Sequence, residues 1–484
     1  MWKPEPSGER PVFAQIAGYF EKQILKGDLP PGAKLPTERE LALQLCVNRS
    51  TISAAYEELR ASGLVTSVQG SGTRVSDSLW EAAEVRTPNW QRYTAVRQLF
   101  DPTAALQSQV YGSFGKPNII NFVKGELSPD LMPLELLEQR LPELNLSEPF
   151  SYYCSFKGDA GLRRTISQRL QAEAGILTDP EHLLISAGVK HSLHLICHTL
   201  LQPGDAIAVE GPSYLYSMNV LSSAGLRLVK LPIDSQGLNP EQLPELARKH
   251  RVKMVLTNPT YQNPTGTTLS LARRITLLDI CAQLRIPIIE DDPYSLLFLD
   301  EAGRSLPPLR ALPGGDRTVI YLGTMSKIAT PGMRIGWIIA PLTVTAKLAE
   351  AKSRMGYSTS HIGERLADRF LNTGGYEAHL SYIRGRLRTR RDCMLGAIRE
   401  HIEPLAVPVL SNSRPGGYYV WLKLKKNILD RDMLEAAISE GVLCLPGRVF
   451  GADDGFLRLS FAAIGEEQIQ EGVRRLGRAL LGIT

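Results

Sequence analysis

Apolar residues recur at helical spacing from Pro11 to Lys26 (Val12, Ile16, Phe20, Ile24), and Gly27 follows as a stop, which predicts a first helix. The stretch "LPPGAKLPTERELALQLCVNRSTISAAYEELRASGLV" predicts two more. Thr37 and Glu40 have capping-box spacing for one, and Asn48 is expected to cap the next, which turns Ile52, Tyr56 and Leu59 inward and stops at Gly63. Only a few residues separate these two helices, the spacing of a helix-turn-helix. "LVTSV", "QGSG" and "TRV" then predict a hairpin.

Beyond residue 77 the pattern lapses. Residues 78–118 carry scattered Trp and Pro without a sustained period and are expected to be a connector, with a short helix around residues 93–100. From residue 119 to 484, short apolar runs alternate with helical stretches: "HLLIS", "DAIAVEG", "RLVKLPI", "KMVLTNP", "IPIIEDD", "TVIYLGT" and "RIGWIIA". Such alternation predicts an α/β fold with a mostly parallel sheet covered on both faces. Ligands bind such sheets at the carboxyl ends of the strands.

Composition narrows the class. With 484 residues, 43% hydrophobic and 22% charged, the chain is globular and long enough for several domains. Six dispersed cysteines without a CxxC pair, and a start lacking an apolar leader, point to a reducing cytoplasm and away from a membrane. The net charge is +5, yet the first 77 residues hold nine basic and nine acidic side chains. DNA binding there has to come from charge placed on one face.

That placement is suggested by Arg49, Ser50 and Thr51, which fall in the first turn of the second helix of the helix-turn-helix, where such proteins meet the major groove. The ordered run from "PVFAQIAGYFEKQILKGDLPPGAKLPTERELALQL" to "VNRSTISAAYEELRASGLVTSVQGSGTRV" resembles the winged helix-turn-helix of the GntR regulators. The resemblance implies that Arg39, Arg49, Ser50, Thr51 and a wing tip at Gly70 and Gly72 meet double-stranded DNA. Arg39 and the wing suit phosphates, and Arg49 suits guanine.

In the larger part, polar residues gather at predicted strand ends. Gly188, Val189 and Lys190 open a helix whose free N–H groups suit a phosphate. Asn263 follows one strand, Asp291 and Tyr294 another, and Thr324, Ser326, Lys327 and Arg334 a third. A phosphate, a nitrogen heterocycle and an aldehyde would use them all: Lys327 as the Schiff-base lysine, Asp291 on the ring nitrogen, Asn263 and Tyr294 on the ring hydroxyl, and Thr324, Ser326 and Arg334 on phosphate. That describes pyridoxal phosphate.

The order of "YCSFKGDAGLR", "EGPSY", "NPTYQNPTG", "IIEDDPY", "SKIATPGMRIGW", "RPGGYYVWL" and "FLRLSF" resembles the fold-type I, class I aminotransferases, with a smaller C-terminal α+β subdomain. The resemblance implies that Tyr214 stacks on the cofactor ring, Tyr153 reaches the phosphate in a second subunit, and Arg458 takes a carboxylate. Lys190 and His191 stand where that family often has glutamine. His191, His194 and His198 share a helical face but lack a completing ligand, so packing is expected and no metal. The basic run "YIRGRLRTRRD" is expected to be a solvated helix face in preference to a second DNA contact.

A GntR-type reader joined to an aminotransferase-like body resembles the MocR/GabR regulators. The resemblance implies a head-to-tail homodimer on an operator, a small-molecule effector that is amino-acid-like or the cofactor itself, and Lys327 serving a sensor. An active aminotransferase with an accessory reader uses the same residues.

Overall fold

The computed structural model describes residues 2–5, 11–68, 72–76, 103–144, 155–301, 306–356, 359–409 and 416–483. Tyr153, Gly70 and the short helix expected around residues 93–100 lie outside these. The chain divides into two compact units, Met1–Asp101 and Pro102–Thr484.

In the first unit the helix Val12–Leu25 buries Ile16, Phe20 and Ile24. The helices Glu38–Leu45 and Arg49–Ala61 form the helix-turn-helix, and Ile52, Ala55, Tyr56 and Leu59 of the latter are buried at the spacing of one helical face. Thr37 and Glu40 make the expected capping box. Asn48 occupies the N-cap position, but its side chain caps nothing: the contribution there is from extended backbone alone. The wing pairs Val65–Val68 antiparallel with Gly72–Val75, and backbone bonds from Leu35 to Thr73 and from Val75 to Ala33 seat it against the segment before the second helix.

The second unit is built on an eight-stranded sheet. Its strand order is Leu183–Ser186, Gly336–Ile339, Val319–Thr324, Ile288–Asp291, Val252–Thr257, Ala206–Gly211, Arg227–Asp234, Gly237–Leu238. The inner strands run parallel, whereas Gly336–Ile339 lies antiparallel between Val319–Thr324 and Leu183–Ser186. Alternate residues enter different cores: Leu183 and Ile185 join one cluster and Leu184 another. Both faces are covered, which explains why these strands read as unbroken apolar runs.

A four-stranded antiparallel sheet follows the order Ala406–Pro408, Tyr419–Leu424, Phe456–Ser460, Leu445–Pro446. The helices Tyr376–His401, Asp430–Ser439 and Glu466–Leu481 belong with this subdomain. The basic run sits in Tyr376–His401, where Tyr382, Gly385, Arg388, Thr389 and Asp392 form an exposed face, but its arginines are engaged within the body. Arg384 and Arg388 donate to the carbonyls of Leu296 and Leu299, Arg390 is buried on Ser128 and Asp130, and Arg386 and Arg391 pair with Glu466 and Asp300. The helix Ala104–Tyr111 falls in the stretch expected to be connector, and its Val110 is buried against Val123 and Trp421. Among the described residues no helix is long and apolar enough to cross a membrane.

One close approach fixes the sheet beside the lysine turn. A Cβ on Gly323 would lie 2.2 Å from the indole of Trp337, its cross-strand neighbour. Gly323→Ala should therefore overpack this pair and destabilise the body by about 1–3 kcal/mol. Denaturant titration of the full-length protein, followed by tryptophan fluorescence, should show the lowered midpoint; an unchanged midpoint would mean that the indole moves aside at no cost.

Candidate cofactor site and nucleic-acid interface

The sheet topology brings the polar strand ends together. Because Leu183–Ser186, Ala206–Gly211, Val252–Thr257, Ile288–Asp291 and Val319–Thr324 point the same way, the turns after them share one edge, and Arg334 precedes the reversed strand Gly336–Ile339 at that edge. A cavity of about 430 Å³ there is lined by Gly188, Val189, Lys190, Tyr214, Asn263, Asp291, Tyr294, Thr324, Ser326, Lys327 and Arg334. These eleven positions were singled out from the sequence, and the fold gathers them around one space.

At its electropositive end, Gly188 takes φ +92° and caps the helix Val189–Leu200. A Cβ on it would meet the Arg334 guanidinium at 3.0 Å, so only glycine lets backbone N–H groups and guanidinium converge. The Arg334 guanidinium also donates to the Ala187 carbonyl. Thr324 Oγ1 lies 3.2 Å from the Ile335 carbonyl, to which it can donate, and 3.1 Å from Ser326 Oγ, and it accepts from the Ser326 N–H, which makes a compact turn ahead of Lys327. His191 packs behind the loop, with Nδ1 accepting from the Ala187 N–H. Burial, with Lys352, His194 and Arg334 nearby, holds its pKa below the usual imidazole value.

Asp291 ends its strand only 2% exposed. Burial pushes its pKa up to about 7, against the Tyr214 hydroxyl, which donates to Oδ2 at 2.5 Å and pulls it down; repulsion from Asp292 adds to the rise and Lys327 opposes it. The other oxygen, Oδ1, is buried with no hydrogen-bond partner among the described residues. A buried carboxylate with one oxygen satisfied and one orphaned inside a cavity suits a protonated ring nitrogen, and so the donor set fits pyridoxal phosphate. Asn258 fixes the carboxylate's backbone, its Nδ2 donating to the Asp291 carbonyl at 2.8 Å. The Lys327 ammonium donates to the Gly125 carbonyl.

Arg458 lies beside this cavity, 4% exposed. Its Nη1 donates to Asn263 Oδ1 at 3.0 Å and its Nη2 to the Val123 carbonyl, while Nε is buried without a partner among the described residues. Its guanidinium carbon stands 4.3 Å from the centre of the Tyr419 ring. Asn258, Tyr418 and Tyr419 were not singled out from the sequence, although they stand inside quoted motifs; Tyr418 donates its hydroxyl to the Lys327 carbonyl.

On the reader, Arg39 and Ser50 are exposed and Thr51 is half-buried at the start of the recognition helix. The Arg49 side chain is 73% exposed, and its Nε donates to Glu38 Oε2 at 3.0 Å. Glu38, which the sequence pattern does not single out, therefore holds the inner nitrogen of Arg49. Gly72 takes φ +91° at the start of the second wing strand.

Comparison with known proteins agrees with both units. Residues 13–75 match the model for bacterial regulatory proteins of the gntR family, and residues 117–476 match that for aminotransferase class I and II. The HTH-type transcriptional regulator YdfD of Bacillus subtilis is 34% identical over 96% of each chain. TauR, an HTH-type transcriptional regulator of Rhodobacter capsulatus, is 30% identical over 98% of each. Among solved structures, Pyrococcus horikoshii kynurenine aminotransferase superposes with a TM-score of 0.74 at 30% identity, covering 81% of this chain and 96% of that one. The aminotransferase class I and II family is pyridoxal phosphate-dependent. With its reader and its body both matched, the chain belongs to the transcription regulators that join a GntR helix-turn-helix to an aminotransferase class I and II domain, the MocR-type architecture.

Proposed function

We propose that this regulator holds pyridoxal phosphate on Lys327 and uses the loaded pocket to sense either the cofactor itself or an amino-acid-like effector, altering how its readers engage DNA. The observation that carries this reading is the orphaned Asp291 oxygen facing a cavity that also contains Lys327 and the Gly188–Arg334 cradle. When bound, the cofactor supplies an aldehyde that condenses with amines and a ring that withdraws electrons.

The chain's own groups then have distinct roles. Gly188, Val189 and Lys190, with Thr324, Ser326 and Arg334, bind phosphate. Asp291 holds a proton on the ring nitrogen, Tyr214 orients Asp291 and lies against the ring, and Asn263 and Tyr294 direct hydrogen bonds at the ring oxygen. Arg458 offers a guanidinium to an incoming carboxylate. Arg39 and the wing at Gly70 and Gly72 grip phosphates while Arg49, Ser50 and Thr51 read base edges. We assign residues 1–77 to the reader, 78–118 to the connector and 119–484 to the body. A head-to-tail homodimer, in which Tyr153 of one copy serves the other's phosphate, would present two readers to paired half-sites in the cytoplasm.

A second reading, an active aminotransferase, is favoured by the intact Lys327, Asp291 and Arg458 set. Turnover with an amino donor and an α-keto acid separates them: repeated turnover supports the enzyme, and a single half-reaction or none supports the regulator.

Arg49→Ala should weaken binding to a duplex from upstream of the protein's own gene by about tenfold to a hundredfold at fixed salt, the cost of losing one base-reading arginine. Fluorescence anisotropy would measure this; undiminished affinity would remove Arg49 from the interface.

In cofactor-stripped protein Asp291 is an acid whose folded pKa, about 7, exceeds its usual value of 3.8. The folded state thus binds the extra proton, and its stability contribution is full below pH 3.8 and is lost as pH rises through about 7. The thermal midpoint should fall across this window less steeply in Asp291→Asn than in wild type. Equal slopes would contradict a buried proton at Asp291.

A further inference from the structure

Tyr419 touches both Tyr294, which lines the cavity, and Arg458, which lies beside it. Its hydroxyl lies 3.0 Å from that of Tyr294, and the two rings meet edge to face at 5.9 Å. The Arg458 guanidinium covers its ring at 4.3 Å. The small sheet sets this up: Tyr419 pairs with Ser460, so Arg458, two residues along the neighbouring strand, is its diagonal neighbour on one face. The hydroxyl occupies the space that a side chain at Gly125 would need, since a Cβ there would lie 2.3 Å from it.

Two hydroxyls in contact share one hydrogen. Tyr294 lines the cofactor cavity. If Tyr294 gave its hydrogen to Tyr419, it would have none for an acceptor in the cavity. If Tyr419 donates, the Tyr294 O–H is released toward the cavity and strengthened as a donor. A cation over a phenol ring draws electron density from it and makes its hydroxyl the better donor. Arg458 therefore favours the second arrangement.

We propose that Tyr419 is a positioning residue that couples the carboxylate site to the cofactor: it orients Tyr294 toward the ring oxygen and transmits the charge state of Arg458 to that hydrogen bond. The proposal rests on the reading above, in which Tyr294 meets the ring oxygen and Arg458 an effector carboxylate. A carboxylate on Arg458 cancels part of the field on the Tyr419 ring, weakens the relay, and leaves more electron density on the ring oxygen. The nitrogen joined to Lys327 then holds its proton more tightly. The other ionisable groups around this relay are Tyr418, which contacts both tyrosine rings, Lys327, 5.8 Å from the Tyr294 ring, Tyr111 near Arg458, Glu126 near Tyr418, and the Tyr214–Asp291 pair.

The test is a pH titration of the absorption spectrum of cofactor-loaded, full-length protein, with and without propionate, which has a carboxylate and no amine. Tyr419→Phe keeps the ring under Arg458 and removes only the hydroxyl. Its spectral midpoint should lie above wild type by about half to one pH unit, the size of one hydrogen bond. Propionate should raise the wild-type midpoint and raise that of Tyr419→Phe less, the difference being the part that passes through the hydroxyl. Arg458→Gln should move the midpoint in the same direction as propionate and abolish the response to it. A Tyr419→Phe midpoint equal to wild type, while Tyr294→Phe shifts, would overturn the relay and leave the Tyr294 reading standing. If Tyr294→Phe also leaves the midpoint in place, the reading of Tyr294 fails and the relay with it.

Discussion

A carboxyl group buried at the end of a sheet strand has to be answered by a proton or a cation, and in this protein that demand falls on Asp291. Its Oδ2 is answered by Tyr214 and its Oδ1 by no group among the described residues. Much of the surrounding architecture serves to hold this group in place. Asn258 pins its carbonyl, and buried Glu210 in turn accepts from the Asn258 N–H and from Thr257 and Gln262, so that the turn carrying Asn263 is fixed to the same support. A fixed, half-satisfied carboxylate is costly in an apolar core and useful beside a heterocycle whose nitrogen must stay protonated.

The sheet topology turns that local demand into a site. Six strands deliver their carboxyl ends to one edge, and of the two reversed strands Gly336–Ile339 follows Arg334 there. The small antiparallel sheet supplies Arg458 and Tyr419 by a different geometry, through register across paired strands. The cavity itself is lined from strand ends and their turns, and the second sheet sets Arg458 beside it, bonded to Asn263 of the lining. For the regulator proposed above this arrangement is apt, because a ligand acts only through differential affinity for two states, and neighbouring groups can be coupled.

What the sequence made legible was what chain order alone determines. The strands of the large sheet were readable because double-sided burial demands short unbroken apolar runs, and the pocket residues because they follow those runs directly. The Thr37–Glu40 capping box was legible for the same local reason. Tyr419 and Glu38 were not, since each acts through a partner set by register or by the fold of the turn: Ser460 opposite Tyr419, and Arg49 eleven residues beyond Glu38. The basic run misled because its main partners are carbonyls and acids far along the chain, such as Leu296, Leu299 and Asp130, which charge counting does not reveal. The helix Ala104–Tyr111 escaped notice because "AALQSQVY" has scarcely any amphipathic pattern and buries only Val110.

The central claim is that occupancy of the Lys327 pocket is linked to DNA reading. The most direct measurement is the equilibrium affinity of the full-length protein for a duplex from upstream of its own gene, determined for cofactor-loaded and cofactor-stripped protein at one salt concentration. The account predicts specific binding whose affinity changes with loading, and by linkage an equal change in cofactor affinity when the duplex is present. Specific binding of identical affinity in both forms, still identical after addition of amino acids, would contradict it.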